Sequence, residues 1–586
     1  MKNRYSFFAF CIIGIVLLYF RISYLDFKSE TPLKVTTWDA LGYYMYLPSI
    51  FIYQDFTELK WFSDIDNEYS VSGGCVYQAR KHKNGNYVFK YLGGVAIMQS
   101  PFFFAGHLIA KNTNYKEDGF SPPYQYAIAF CVLFYCILAI FLLRKILLIY
   151  FDDVTTAITL LLLILATNFI QYVAIDGGQS HGFIFPLYVL VLYTTLKWHQ
   201  KPSLVWASLT GLIIGLATIS RPTEAIMLFI PLLWNTQTKE LAKAKWRLAK
   251  RYKKHIAYAV LFSFIGVLPQ LIYWKIVTGS FVYDVGSKWD FLTPHLRVLF
   301  GWEKGWFIYT PITIFFVIGL FFIKKFPFKN SVLTFCLLNI YIIISWHIWR
   351  YGGSYSCRAL VQSYPVFALP FAAIIQKISF KKWRFIFYIL GIYLLFVNLF
   401  QIRQYNKTIL HYDHMNRRYY SRIYLNPNPS PLDMSLLDTD ERLYNEKKYH
   451  KEIIVDIDST LNIQITPYSS NLLIETKIRQ DLLTDKKLDN WIKVESAIQV
   501  NQGFSSSYIN SELQIGDTIK HNKIRLFSPI SQNGQTNEYA FYMKIPDYFK
   551  EGFFRLHISS SGSEFEGIVK NIKITYINKR LSRDRD

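Results

Sequence analysis

The stretch KELAKAKWRLAKRYKK, residues 239–254, carries the densest positive charge in the chain and lies between two apolar runs. Under the positive-inside rule, a basic loop between apolar segments belongs on the cytoplasmic face of a membrane. A run of about 20 apolar residues crosses the roughly 30 Å hydrocarbon core as a helix, and such runs recur up to residue 402. Because backbone groups in lipid have to be paired internally, helices are favoured over open sheets. The pattern predicts a membrane protein with several helical spans.

Composition agrees with this prediction and argues against a nucleic-acid partner. Of the 586 residues, 52% are hydrophobic and 18% aromatic, and the formal net charge is +23. The cations cluster between apolar runs, where cytoplasmic loops are expected, and no nucleic-acid-binding motif accompanies them. The six cysteines show no metal-ligand spacing. Cys75 and Cys357 both fall in predicted exterior loops, where a disulfide between them could form.

The hydropathy and charge pattern predicts about eleven spans, with the N-terminus in the cytoplasm. The predicted spans cover residues 5–22, 124–143, 154–173, 181–197, 203–219, 223–235, 256–276, 306–323, 331–349, 360–377 and 384–402. With this count every even-numbered loop is cytoplasmic and basic, which supports both the count and the orientation. The first run lacks a small-residue cleavage site and is predicted to remain as an uncleaved span.

The other segments define the predicted domain organisation. Residues 1–402 form a transmembrane module with a large first exterior loop, 23–123. The apolar segment 91–110 in that loop is predicted to be a membrane-surface or re-entrant helix, because counting it as a span would invert every later loop. Prolines and asparagines mark 403–449 as a linker, and alternating apolar residues in 450–586 predict an exterior antiparallel β-sandwich. The expected fold class is an α-helical polytopic membrane protein with a C-terminal β-sandwich domain.

A single carboxylate follows the first apolar run, in TTWDALGYYMYLP (36–48). If residues 38–53 form a short helix, Asp39, Tyr43 and Tyr46 share one face and the apolar residues occupy the other. Such a helix would rest on the bilayer with its acid turned toward a cleft. The alternative is that Asp39 caps the helix or is simply solvated.

Two turns supply further candidates on the exterior side. IDGGQSHG (175–182) contains Asp176 and His181, which could bind a sugar or a metal; the alternative is a flexible turn with a capping residue. SRPTEA (220–225) contains Arg221 and Glu224. An arginine at membrane depth is costly and usually has a partner or a function, although Arg221 could instead reach the headgroups.

Cations and aromatic residues also collect at the outer ends of later spans. Arg350 and Arg358 lie in SWHIWRYGGSYSCRALVQSYP (345–365), and Tyr309 lies in KGWFIYTP (304–311). Lys90 precedes the apolar segment of the first loop. Arginine offers a planar set of donors that matches phosphate oxygens. Each residue alone is typical of an interfacial anchor; together they predict a ring of cations and aromatic rings around Asp39.

These motifs resemble the GT-C superfamily of membrane glycosyltransferases, especially the protein O-mannosyltransferases and lipid A aminoarabinose transferases. The resemblance covers residues 1–402 and rests on the order of its motifs. They are Asp39 after the first span, FKYLGGVAIMQSPFF with Lys90, Asp176 between spans three and four, GLATISRPTEA, GWFIYTP and YGGSYSCRALVQSYP. Two departures leave the acceptor open. Asp39 is followed by Ala40 where many relatives have a second acid, and Tyr91 and Leu92 stand where aminoarabinose transferases have prolines.

The resemblance implies a polyprenyl-phosphate sugar as donor co-substrate and Asp39 as the general base that activates an acceptor hydroxyl. It implies a donor-phosphate set of four cations, Lys90, Arg221, Arg350 and Arg358. It implies an acceptor or sugar set made of Tyr43, Asp176, His181, Glu224 and Tyr309. Members of the superfamily differ in their need for a divalent metal, so the metal is left unassigned.

The predicted function is therefore an inverting glycosyltransferase on the periplasmic face of a bacterial inner membrane. Its partners would be the lipid-linked sugar, membrane lipids, and a glycan, lipid or protein acceptor. Two alternatives are a transporter or flippase of lipid-linked sugars and a membrane-anchored glycan-binding assembly protein. A transporter would call for charges midway along its spans and for similar halves. The sequence leaves the oligomeric state open.

Overall fold

A computed structural model gives the fold of the chain. It describes residues 3–25, 34–73, 76–379, 382–478, 489–527, 534–546, 549 and 551–579. The chain divides into two compact units, Met1–Ile402 and Arg403–Asp586. The predicted pairing of Cys75 with Cys357 involves a residue outside these ranges.

The first unit is helical, with one small β-hairpin. Its α-helices are α1 (Arg4–Ser23), α2 (Asp39–Tyr44), α3 (Tyr46–Phe51), α4 (Phe62–Tyr69), α5 (Gly94–Lys111), α6 (Pro122–Tyr150), α7 (Asp153–Leu165), α8 (Ser180–Gln200), α9 (Leu204–Thr218), α10 (Phe229–Leu233), α11 (Lys239–Arg251), α12 (Lys253–Thr278), α13 (Arg297–Phe300), α14 (Trp306–Tyr309), α15 (Ile314–Gly319), α16 (Lys329–Ile344), α17 (Tyr364–Ser379) and α18 (Arg384–Asn406). Short 3₁₀ segments cover Lys34–Thr36, Pro222–Leu228, Pro311–Thr313, Leu320–Phe322 and Arg358–Ser363, and a π-helical turn covers Gln171–Ile175. The hairpin strands are β1 (Ala79–Lys81) and β2 (Tyr87–Phe89).

Within the described residues, five helices are long and apolar enough to cross a membrane. They are Arg4–Ser23, Pro122–Tyr150, Lys253–Thr278, Arg358–Ser379 and Arg384–Asn406. Five shorter apolar helices lie where further spans were predicted, at Asp153–Leu165, Leu204–Thr218, Pro222–Leu233, Pro311–Phe322 and Lys329–Ile344. The first unit therefore has the helices of a membrane protein, and the count of about eleven spans stays a prediction.

Helices α9 and α12 pack with their backbones in close approach. Gly211 and Gly215 of α9 face the backbone of α12, and a methyl group at Gly211 would overlap the carbonyl of Ala259. One at Gly215 would overlap the carbonyl of Ser263. Small residues at helix contacts allow this approach, which increases van der Waals contact where lipid supplies no hydrophobic driving force between helices.

The prediction of one surface helix over 38–53 is wrong in two respects. The helix is broken into α2 and α3 at Met45, and most of both helices is buried in protein rather than resting on the bilayer. The tyrosines explain the burial. Tyr44 donates its hydroxyl to the carbonyl of Gly119, Tyr46 donates to the carbonyl of Tyr91 at 2.8 Å, and both rings belong to a single aromatic core. The apolar segment 91–110 does form a helix, α5; its depth in the membrane stays a prediction.

The second unit contains two antiparallel sheets. Its strands are β3 (Tyr449–Ile457), β4 (Leu461–Ile465), β5 (Ser470–Ile478), β6 (Trp491–Gln502), β7 (Ser507–Ile515), β8 (Thr518–Arg525), β9 (Thr536–Lys544), β10 (Gly552–Ser560) and β11 (Phe565–Lys579). One sheet has the order β5-β10-β7-β8, and the other has the order β3-β11-β6-β9, with β4 paired to β11. Phe554 and Leu556 of β10 share one hydrophobic core with Phe541 and Met543 of β9, so apolar faces of the two sheets meet.

The segment 403–449, predicted to be a linker, belongs to the same compact unit as the strands. It contains α19 (Arg417–Ile423) and α20 (Pro431–Ser435). Asp438 pairs with Arg525 of β8 through the Nε–Oδ1 contact of 2.7 Å. Glu441 accepts a hydrogen bond from Asn522 at 2.8 Å. Pro431 begins α20, and α20 packs against β9, so this part of the segment is held on the sheet.

Candidate functional site

A cavity of about 570 Å³ lies in the helical unit. One part of its lining is charged, with the carboxylates Asp39 and Asp284 and the cations Arg80, Lys90, Arg221 and Arg358. Another part is aromatic, with Trp274, Tyr283, Trp289, Trp346 and Tyr351. Binding sites for small molecules are commonly apolar clefts with a few polar groups that converge on one point.

Asp39 is the first residue of α2 and faces the cavity. Its Oδ1 accepts hydrogen bonds from Tyr77 at 2.8 Å and from Tyr91 at 2.5 Å, and its Oδ2 accepts one from Arg358 at 2.9 Å. Burial raises the pKa of this carboxyl, but the Arg358 charge and the hydrogen bonds outweigh burial and lower the pKa to about 2. Asp39 is therefore ionised at every physiological pH.

Arg358 connects Asp39 to the turn between α7 and α8. One terminal nitrogen donates to Asp39 and the other donates to the Gln179 side chain at 2.8 Å. Gln179 in turn donates to Asp176 Oδ2 at 2.7 Å. Asp176 thus supports the site through Gln179 and does not line the cavity. Burial raises the pKa of Asp176 to about 6, against the opposing charge of Arg358.

The β-hairpin brings two cations to the cavity. Arg80 is in β1 and Lys90 directly follows β2. The Lys90 ammonium lies 5.1 Å from the ring centre of Tyr77 and 5.3 Å from that of Tyr91. Among the described residues, no carboxylate comes within ion-pair distance of Lys90, and burial lowers its pKa. The charge of Asp39 across the cavity opposes this lowering, but a half-buried cation with no carboxylate in direct contact is suited to an anionic ligand.

Arg221 is held by neutral groups. Its NH1 lies 3.3 Å from Gln362 Oε1 and 3.2 Å from His181 Nδ1, and His181 Nδ1 lies 2.8 Å from the same Gln362 oxygen. Gln362 Nε2 donates to the buried Glu224 at 2.5 Å. Since Glu224 accepts from Gln362, the Gln362 oxygen is the end that accepts from His181 and Arg221. Glu224 therefore orients the cavity wall from behind and does not line the cavity.

The structure places the sequence-predicted residues in three groups. Those that line the cavity are Asp39, Tyr43, Lys90, His181, Arg221 and Arg358. Asp176 and Glu224 contact residues of the lining. Arg350 and Tyr309 do not line it, because Arg350 pairs with Glu303 at 2.9 Å and the buried Tyr309 donates to the Trp302 carbonyl at 2.5 Å. The predicted convergence of Arg350 and Tyr309 on the same cavity as Asp39 is therefore not what the structure has.

Several contributors were missed by sequence reasoning. They are Arg80, Tyr77, Tyr91, Gln179 and Gln362. Tyr91 had been noted only as a departure from relatives. In β1 Ala79 is buried whereas Arg80 and Lys81 are both exposed, so no alternation in the sequence singled out Arg80. The neutral glutamines carry no sequence signal, since their role is visible only in their contacts.

The sequence left open whether Asp176 and His181 take part in a metal site. Among the described residues, no group of three or more His, Cys, Asp and Glu side chains is placed to hold a metal ion. Asp39 is engaged by Arg358, and Asp176 by Gln179.

The fold and cavity together define a class: a helical membrane protein with a mainly cationic site. The chain matches no family model and no curated protein. Several solved structures resemble it, among them the following three. ArnT from Cupriavidus metallidurans has 12% identity and a TM-score of 0.42, covering 71% of this chain and 67% of that one. The Archaeoglobus fulgidus oligosaccharyltransferase has 12% identity and a TM-score of 0.41, and the match covers 72% of this chain and 58% of that one. The arabinosyltransferase EmbB from Mycobacterium smegmatis has 9% identity and a TM-score of 0.31, and the match covers 97% of this chain and 64% of that one.

Two of these neighbours are named as transferases, an oligosaccharyltransferase and an arabinosyltransferase. This chain spans less than two thirds of the oligosaccharyltransferase and of the arabinosyltransferase. Because the identities and TM-scores are low, the function proposed below rests on the contacts in the cavity.

Replacing Asp176 by Asn should stabilise the protein at alkaline pH. The folded pKa is about 6 and the unfolded pKa about 3.9, so the ionised carboxylate opposes folding as pH rises from about 4 through 6. Asn keeps an oxygen that accepts from Gln179. We expect Asp176→Asn to raise the free energy of unfolding by about 1–2 kcal/mol at pH 8 and to leave it unchanged near pH 4. Thermal melts across pH in detergent, with the exposed Asp64→Asn as control, measure this; equal gains at all pH values would contradict it.

Proposed function

We propose that the protein is an inverting glycosyltransferase that moves a sugar from a polyprenyl-phosphate donor to an acceptor hydroxyl on the periplasmic face of a bacterial inner membrane. One observation carries the proposal. Two carboxylates, Asp39 and Asp284, and four cations from distant parts of the sequence line a single cavity in a unit built from apolar helices. A lipid-linked sugar phosphate has the complementary parts, namely an anion, hydroxyl groups and an apolar tail.

The chemistry assigned to Asp39 is general-base catalysis. As the acceptor oxygen bonds to C1 of the sugar, Asp39 takes the hydroxyl proton and the C1–O bond to the phosphate breaks. The electron pair of that bond leaves with the phosphate. A positioned base contributes about 10²–10⁴-fold to the rate.

The contacts of Asp39 suggest how its basicity is controlled. With a pKa of about 2, the carboxylate is ionised but holds a proton weakly. Arg358 is the largest of the influences that lower this pKa. A donor phosphate that drew Arg358 away from Asp39 would raise the pKa and make Asp39 a stronger base when the donor is in place.

Lys90 and Arg221 are assigned to the donor phosphate. Among the described residues neither has a carboxylate within ion-pair distance, and both line the cavity. Preorganised cations stabilise the charge that grows on the leaving phosphate without reorganising during the reaction. Tyr43, whose hydroxyl donates to Ser180 at 3.0 Å, and His181 are assigned to sugar or acceptor hydroxyls.

A transfer assay tests the proposal directly. Purified protein in proteoliposomes receives a radiolabelled polyprenyl-phosphate sugar and a panel of glycan, lipid and protein acceptors. Label in an acceptor, absent with Asp39→Asn, is the expected result. Movement of the intact donor across the bilayer without transfer would support the flippase alternative and overturn the proposal.

Replacing Lys90 by Met should weaken donor binding. Methionine keeps most of the side-chain volume but removes the charge, and a hydrogen bond to a charged group contributes about 1.5–3 kcal/mol. We expect the donor KM to rise about 10–100-fold, with a smaller change in the acceptor KM. The exposed Lys83→Met in the same hairpin is the matched control. Equal donor KM values for the two variants would remove Lys90 from the donor site.

A further inference from the structure

A tight turn outside the charged part of the site has two large apolar residues at its tip. Thr293 N donates to the carbonyl of Asp290 at 3.0 Å, which closes the turn. The two central residues are Phe291, 45% exposed, and Leu292, 98% exposed. Such positions are usually taken by Gly, Pro, Asn, Asp or Ser. Two exposed apolar side chains at a turn tip are therefore unusual and call for a partner.

The turn is held firmly by its neighbours. Asp290 N donates to the carbonyl of Ser345 at 2.6 Å, and His295 N donates to that of Ile344 at 2.7 Å. The side chains of Asp290 and His295 are 3.0 Å apart. Since the residues on both sides of the turn are hydrogen-bonded to the end of α16, the position of Leu292 is fixed by that helix.

The tip continues an apolar stripe on α16. The Tyr341 ring stacks on Phe291, with centroids 5.7 Å apart, and its hydroxyl donates to the Phe291 carbonyl at 2.5 Å. Leu337, one helical turn earlier, is 56% exposed. The helix is one of the shorter apolar helices of the unit. The exposed surface from Leu337 through Tyr341 to Leu292 is thus apolar along its length.

The same segment forms part of the cavity wall. Trp289, two residues before Phe291, bridges to Trp346 by backbone pairing, and both tryptophans line the cavity. Basic residues flank the tip at Lys288 and at Arg297, which lies over the Trp349 ring at 4.3 Å. Aromatic and basic residues around an apolar tip are typical of contact with a membrane interface.

We propose that the Phe291–Leu292 tip inserts into the lipid surface beside α16 and holds the cavity wall at the level of the headgroups. The occupant of this surface is the acyl-chain region of the bilayer. Resting on the proposed function, the tip brings the cavity to the depth at which a lipid-linked donor carries its phosphate.

Depth-dependent quenching tests the insertion without any activity measurement. The Leu292→Cys variant carries a polarity-sensitive fluorophore in proteoliposomes, with the wild type as the blank for its own cysteines. Lys83→Cys, an exposed position in the β1–β2 turn, is the control. We expect acyl-brominated lipids to quench the probe at position 292 several-fold more strongly than the probe at position 83. We expect aqueous iodide to quench the probe at position 83 several-fold more strongly than the probe at position 292. Equal iodide quenching at the two positions would overturn the proposal.

An activity measurement tests the consequence for the donor. Leu292→Asp should lower transfer several-fold with a long-chain donor in bilayers and leave transfer unchanged with a short-chain, water-soluble donor. Leu292→Phe should behave as wild type with both donors. Reduced transfer by Leu292→Asp with both donors would contradict the positioning role. If the wild type transfers no sugar at all, the proposed function is wrong, but the quenching result still tests the insertion of the tip.

Discussion

We expect the replacement of Asp39 by Asn to remove most of the proposed sugar transfer while the protein still inserts into the membrane. Asn retains the shape of the side chain and one oxygen that accepts from Tyr77 and Tyr91, but it cannot take the acceptor proton. The expected loss in kcat is about 10²–10⁴-fold. Transfer of radiolabel by purified protein measures it, and Asp64→Asn, the same change at an exposed carboxylate, is the control. Retained activity would remove Asp39 from its role.

A second variant separates chemistry from stability. Asn leaves the largely buried Arg358 without its ionic partner, which costs free energy of unfolding. Asp39→Glu keeps the negative charge but moves it by one methylene group. We expect Asp39→Glu to melt near wild type and still lose most of its kcat, because proton transfer depends on hydrogen-bond geometry. A Glu variant with full activity would indicate that only the charge at this position matters.

Replacing Arg358 by Gln should change both the rate and its pH dependence. Loss of the cation removes the main influence that lowers the Asp39 pKa, so burial raises that pKa from about 2. The acid limb of kcat/KM then moves to higher pH. The stability that ionised Asp39 contributes above its unfolded pKa, and loses as pH falls toward 2, is also reduced.

The size of this effect and its control follow from the contacts. Arg358 holds both Asp39 and Gln179, and breaking a buried pair from one side costs up to about 3–5 kcal/mol. Arg358→Lys keeps the charge without the planar pair of donors and should keep the acid limb near its wild-type position. A pH–rate profile of Arg358→Gln that matches wild type would contradict the link between the two side chains.

Four charged members of the site could be predicted from the sequence because charged residues are rare beside apolar runs, whereas Arg80 and Asp284 were missed. Asp39, Lys90, Arg221 and Arg358 all stood out and all line the cavity. Arg350 had the same signal but pairs with Glu303, since the direction of a side chain on an irregular segment cannot be derived from spacing. The neutral Gln179 was missed for the same reason: its role consists entirely of contacts.

The β-unit shows a similar limit. Alternation in β9 predicted one buried face, with Tyr539, Phe541 and Met543, and those residues are buried. Tyr542 on the opposite face is buried as well, in a small cluster that includes Leu443 from the segment predicted to be a linker. A pattern of period two identifies a strand, but it does not show what covers the second face.

The glycine contact between α9 and α12 restricts how the cavity can change its width. Arg221 follows the end of α9, and Trp274 lies on α12. Because the backbones are in contact at Gly211 and Gly215, the two helices cannot move closer together and are expected to move as one rigid unit. The separation of Arg221 and Trp274 in the cavity wall is therefore fixed by this contact, and a bulkier ligand would have to displace other lining residues, such as Arg80 and Lys90 of the hairpin region.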